Sequence, residues 1–111
     1  MSTRAIARIY DDDGETILTT LYKHYDGYPE GFGRELEDFA SEFTLVNGIP
    51  VGDTRKLANG MGCFAASLFS HFKNEVGDVY VYPAKAEPMD VEYIYYVKPS
   101  GESITVTVKE L

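Results

Sequence analysis

Hydrophobic and polar positions alternate from Thr3 to Tyr10, with Ala5, Ala7 and Ile9 on one side and Ile6, Arg8 and Tyr10 on the other. A period of two predicts a strand. Asp11-Asp12-Asp13-Gly14-Glu15 supplies a turn with an Asp-Gly pair, and Thr16 to Lys23 resumes the alternation with Ile17, Thr19 and Leu21 on one side. The two segments therefore predict a β-hairpin. The next ten residues, His24 to Gly33, hold three glycines and a proline, which interrupts any strand. Beyond them Phe32, Leu36, Phe39, Ala40 and Phe43 fall on one face of a helix. Pro29 suits the first turn, where its missing N–H is not needed, and Glu30 complements the positive end of the helix. Gly31 and Gly33 weaken such a helix, so they call for a reason such as close backbone approach.

A polar connection, Asn47 to Gly52, leads to Asp53 as a candidate cap and to a second amphipathic stretch with Leu57, Met61, Phe64, Ala65, Leu68 and Phe72 on one face. Gly60 and Gly62 weaken its first half, leaving Asn59 as an alternative start. The period then returns to two in Asp78–Tyr82, Asp90–Val97 and Ser103–Lys109, separated by Pro83–Pro88 and Pro99–Glu102. The order β-β-α-α-β-β-β predicts an α+β fold, a five-stranded antiparallel sheet ending in a meander, with two helices packed on one face. The predicted core joins Leu36, Phe39, Phe43, Phe64, Leu68 and Phe72 to Ile9, Leu21, Val106 and Val108.

At 111 residues the chain reads as a single domain, 1–111, large enough to fold without metal or disulfide staples. Ten Lys and Arg against eighteen Asp and Glu leave a net charge of −8, which opposes direct binding to nucleic-acid phosphates. Cys63 is the sole cysteine, so no internal disulfide forms, and its neighbours Phe64 and Ala65 suggest a small buried thiol. No apolar stretch approaches the length of a membrane span, and Met1–Arg8 lacks the apolar centre of a secretory signal. The expected location is the cytoplasm.

Candidate chemistry is sparse. Asp11 to Gly14 offers carboxylates for a hard cation, but its glycine comes too early for an EF-hand loop, and a hairpin turn explains the run. Cys63, His24 and His71 lack zinc-ligand spacing, and neither a metal nor a cofactor is expected. His24 and Asp26 form the one candidate acid–base pair, and no catalytic residue is assigned. Two surfaces suit a protein partner. One is the acidic stripe Glu35, Asp38 and Glu42 on the first helix, where Arg34 is the only cation. The other is the tyrosine-rich sheet bearing Tyr80, Tyr82, Tyr93, Tyr95 and Tyr96, of which Tyr95 and Tyr96 must point to opposite faces. Arg4 lies at the same end of the hairpin as the His24–Gly31 loop, so it can either clamp Asp26 or a loop carbonyl, or join His24, Asp26 and Tyr28 around a small anion or nucleotide.

Ser2-Thr3-Arg4-Ala5, followed by the segment Leu21 to Gly31 with its His-x-Asp-Gly-Tyr-Pro core, resembles a group of small phage and prophage proteins. The resemblance covers about the first third of the chain and carries no established activity. It implies a phage-encoded accessory protein in the bacterial host cytoplasm, which binds a host protein without catalysis and, by analogy with other small acidic phage proteins, inhibits a host defence system. The alternative is a small-molecule or nucleotide binding and sequestering protein that uses Arg4 and the His24–Gly31 region.

Overall fold

In the computed structural model, which describes residues 2–111, the predicted hairpin is formed by β1 (Ala5–Tyr10) and β2 (Ile17–Lys23). Asp13 holds the turn between them: Oδ1 accepts from the N–H groups of Glu15 and Thr16 at 2.9 and 2.8 Å, and Oδ2 accepts from the Thr16 hydroxyl at 2.6 Å. A wide π-helical turn, Pro29–Gly33, runs directly into α1 (Arg34–Ser41). Then follow β3 (Thr44–Val46), β4 (Leu57–Asn59), α2 (Gly60–Phe72), β5 (Val79–Tyr82), β6 (Tyr93–Ser100) and β7 (Ser103–Glu110).

The fold is α+β, but the main sheet is mixed and does not form the expected antiparallel array. Its order is β5-β2-β1-β6-β7, and β1 runs parallel to β6. A meander would have required a tight turn from β5 to β6. Instead, the connection Pro83–Glu92 crosses the sheet, so β5 joins the outer side of β2 while β6 reaches the far side of β1. Arg8 anchors that crossing, donating to the carbonyls of Ala84 and Ala86 at 3.0 and 2.7 Å and to the Thr20 hydroxyl at 3.1 Å. β3 and β4 form a separate parallel pair that was not expected; it takes Leu57 out of the second helix, which starts at Gly60.

One core lies between the helices and the sheet face bearing Ala5, Ala7 and Ile9. It holds Leu21, Leu36, Phe39, Phe43, Phe64, Leu68 and Phe72, with Val106 packed at its margin. Val108 is a correction to the expected core: it sits on the edge strand, beyond the cover of the helices, and is 47% exposed. Cys63 is a second one. It is exposed, because one step around α2 separates it from the inward face of Phe64. On the opposite sheet face Ile6, Val91 and Ile94 form a smaller cluster backed by Tyr22 and Tyr96.

Candidate functional site

The His24–Gly33 loop is held to the sheet by its glycines. Gly27 donates its N–H to the Thr3 carbonyl at 2.8 Å, and a Cβ there would lie 2.8 Å from the Ala5 Cβ. A Cβ at Gly33 would lie 2.9 Å from the Tyr95 ring, whose hydroxyl donates to the Gly27 carbonyl at 2.7 Å. Gly33 thus has a close-approach reason, and so has Gly31, where a Cβ would lie 2.7 Å from the Asp26 carbonyl oxygen. The same loop is tied to β5 through a buried ion pair. Lys23 Nζ donates to Asp78 Oδ2 at 2.6 Å and to the Tyr25 carbonyl at 2.7 Å, while Asp78 Oδ1 accepts from the Tyr25 N–H. Burial works to raise the Asp78 carboxyl, but the Lys23 hydrogen bond, the backbone N–H donors of Tyr25 and His24 and the Lys23 charge together hold it below the ordinary carboxylate range.

The expected loop pocket is dispersed. His24 Nδ1 pairs with the Tyr22 hydroxyl at 2.9 Å, its ring lies edge-on to Tyr25, and the Tyr28 hydroxyl reaches only Asp26, at 3.5 Å. Arg4 faces a shallow depression with Ser2, Asp90, Val91 and Glu92, and its guanidinium makes no hydrogen bond or ion pair among the described residues. The two ends do meet, but through the Thr3 carbonyl and Gly27 N–H and not through an Arg4 clamp.

The two partner surfaces lie on opposite sides of the molecule. Tyr80 and Tyr82 share the face away from the helices with Tyr22 and Tyr96, whereas Tyr93 and Tyr95 lie under or beside the helices. Tyr95 is buried and cannot present itself to a partner, and burial pushes its phenol well above the ordinary range. The outward tyrosines contact one another and nearby cations, although Tyr80 and Tyr82 remain exposed. Tyr22 stacks on Tyr82 with centroids 5.0 Å apart, Lys73 lies over Tyr80 and Lys98 over Tyr10.

The helix side is different. Glu30, Glu35, Glu37 and Asp38 are exposed, and none forms an ion pair among the described residues. Glu42, just past the end of α1, is taken by Lys56 at 2.8 Å, whose hydrogen bond and charge hold its carboxyl below the usual value. Glu30 and Glu37 also wall an open groove of about 260 Å³ between α1 and β7, floored by Val106 and Val108 with Arg34 on its rim. At one end burial raises the Tyr93 phenol, and the negative charges of Glu110, Glu30 and Glu92 add to the effect. Periodicity placed Glu30 only as a helix-start residue and could not show that β7 would lie beside it.

No cluster of potential metal ligands and no helix long and apolar enough to cross a membrane occurs among the described residues. Comparison with protein-family models, curated proteins and solved structures finds no match for this chain.

Proposed function

We propose that this chain is a non-catalytic binding protein that holds a cationic surface of another protein on its acidic helix side. The observation that carries this reading is the row of exposed, unpaired carboxylates at Glu30, Glu35, Glu37 and Asp38, with Arg34 the only cation on α1. Such a field attracts a basic partner and raises its rate of association. The tyrosine face supports the choice by contrast, because its rings already pair with each other and with Lys73 and Lys98. The N-terminal resemblance supports reading the chain as a phage or prophage accessory protein whose partner is a bacterial host protein, such as a component of host defence.

The test is in-cell crosslinking of the tagged chain at native expression level, followed by mass spectrometry. Wild type is compared with Glu35→Gln/Asp38→Gln and with Tyr80→Ser/Tyr82→Ser. A specific partner lost from the first variant and kept by the second supports the proposal. Absence of any specific partner, or loss from the tyrosine variant alone, overturns it.

A further inference from the structure

The two edges of the main sheet are finished differently. At β5, Lys73 Nζ donates to the carbonyls of Val79 and Gly77 at 2.8 and 2.9 Å, the Val79 N–H is spent on Gly77, and Pro83 follows the strand. A lysine and a proline are common guards of a sheet edge. β7 carries its charges, Lys109 and Glu110, only at its end and has no guard before them. Ile104 to Val108 reads Ile-Thr-Val-Thr-Val, five residues of high strand propensity with no charge, proline or bulge.

The register shows which backbone groups on that edge are free. β6 and β7 are joined by the two residues Gly101 and Glu102, so Ser100 and Ser103 close the hairpin as a hydrogen-bonded pair. The Leu111 N–H donating to the Glu92 carbonyl at 2.9 Å continues the same alternation. Thr105, Thr107 and Lys109 therefore spend their backbone groups on β6, while Ile104, Val106, Val108 and Glu110 direct theirs outward. β3 sits against the Ile104 end, where the Leu45 N–H donates to the Glu102 carbonyl at 2.8 Å. From Val106 to Glu110 no other element among the described residues supplies a backbone partner.

This stretch is also the floor of the acidic groove. Val106 and Val108 point to the α1 side, with Glu30 and Glu37 on the facing wall and Glu110 at the strand end. A second copy is a poor occupant, because a symmetric β7–β7 pairing would continue the sheet with both acidic α1 helices on the same side, and each chain carries −8. A basic strand is a good one. Its lysine or arginine stems can lie over the valines while their charged heads reach the glutamates.

We infer that an extended segment of the partner, bearing Lys or Arg at alternate positions, adds as a strand to the Val106–Glu110 edge of β7 with its basic side chains in the α1–β7 groove. This deepens the proposed function and rests on it. The test is an amide NMR titration of the whole chain with the capped octapeptide of alternating lysine and threonine, using the glutamate–threonine octapeptide as control. The lysine peptide should shift Val106, Val108 and Glu110 and slow their hydrogen exchange about tenfold at saturation, and the control should not. Val108→Pro removes an outward N–H at a place where an edge strand tolerates proline, while keeping an apolar ring on the groove floor, and should weaken binding about tenfold or more. Glu30→Lys/Glu37→Lys, which leaves the strand untouched, should do the same.

Shifts confined to Glu35 and Asp38 would overturn strand addition while leaving an acidic docking surface in place. No shift with the lysine peptide, or undiminished binding by both variants, would overturn strand addition, and the crosslinking experiment would then judge the parent reading separately. Dimerisation of the free chain that Val108→Pro abolishes would overturn it in favour of a second copy.

Discussion

Lys23 and Asp78 show how much one buried contact can carry. Lys23 is 8% exposed and lies on the core side of β2, where a lone ammonium would be costly. Asp78 neutralises it and, through its carboxylate and carbonyl, also receives the N–H groups of Tyr25 and His24. Asp78→Asn should therefore cost about 3 kcal/mol in urea unfolding, because the change strands Lys23 without its counter-charge. The pH dependence follows from the lowered folded-state pKa. The stability that Asp78 contributes is fully present above the unfolded value of about 3.9 and is lost as pH falls through the lower folded value. Wild type should thus lose stability through that acid range, and the Asn variant should show a flatter acid limb. Two glycines make a second comparison. Gly27→Ala drives a Cβ against the Thr3 carbonyl and Ala5, so it should destabilise by more than about 1 kcal/mol, whereas Gly62 has open space around it within α2 and its replacement by Ala should stabilise by about 0.5–1 kcal/mol. Thermal melts of the two variants should move in opposite directions.

At the scale of elements, α2 depends on a residue far from it in sequence. Asp12 Oδ1, in the β1–β2 turn, accepts the Met61 N–H at 2.7 Å, satisfying one of the free donors of the helix start. Asn59, the expected local start, uses its side chain instead to accept the Gly48 N–H at 2.8 Å. Asp12→Ala should cost about 1 kcal/mol, with the loss of amide protection concentrated in the first turn of α2, and Asp53→Ala should leave that turn unaffected. The three acids of the β1–β2 turn thus have separate structural uses, Asp11 and Asp13 within the turn and Asp12 across to the helix. Their run was legible as a turn, but the direction in which Asp12 points depends on where α2 docks.

At the scale of the whole molecule, the acidic helix side and the tyrosine face are separated by the thickness of the sheet, so a single flat partner cannot cover both. The net charge of −8 is unevenly used: Asp78, Glu42 and Asp53 each have a cation within 3 Å, while Glu30 and the α1 carboxylates Glu35, Glu37 and Asp38 do not. Glu35→Gln/Asp38→Gln should accordingly change unfolding stability by less than about 0.5 kcal/mol, since both are exposed and good helix formers replace them. Association of the captured partner, measured against ionic strength, should become slower and less salt-dependent in the same variant.

The hairpin, the inward faces of both helices and the β character of the last three strands were legible in the sequence, because each rests on a local period that neighbouring residues set by themselves. Phe39, Phe64 and Leu68 fall inside for that reason, and Tyr95 and Tyr96 must part company on any strand. The pairing of β6 with β1, the burial of Lys23 against Asp78, the reach of Asp12 to α2 and the exposure of Val108 have no local signature. Each depends on which distant segment arrives alongside, and that was decided when the Pro83–Glu92 crossing, held by Arg8, carried β6 past the hairpin to its far side. The groove between α1 and β7 belongs with them, because an acidic helix face and the uncharged Ile104–Val108 stretch of an edge strand, more than sixty residues apart, become one surface only through the tertiary fold.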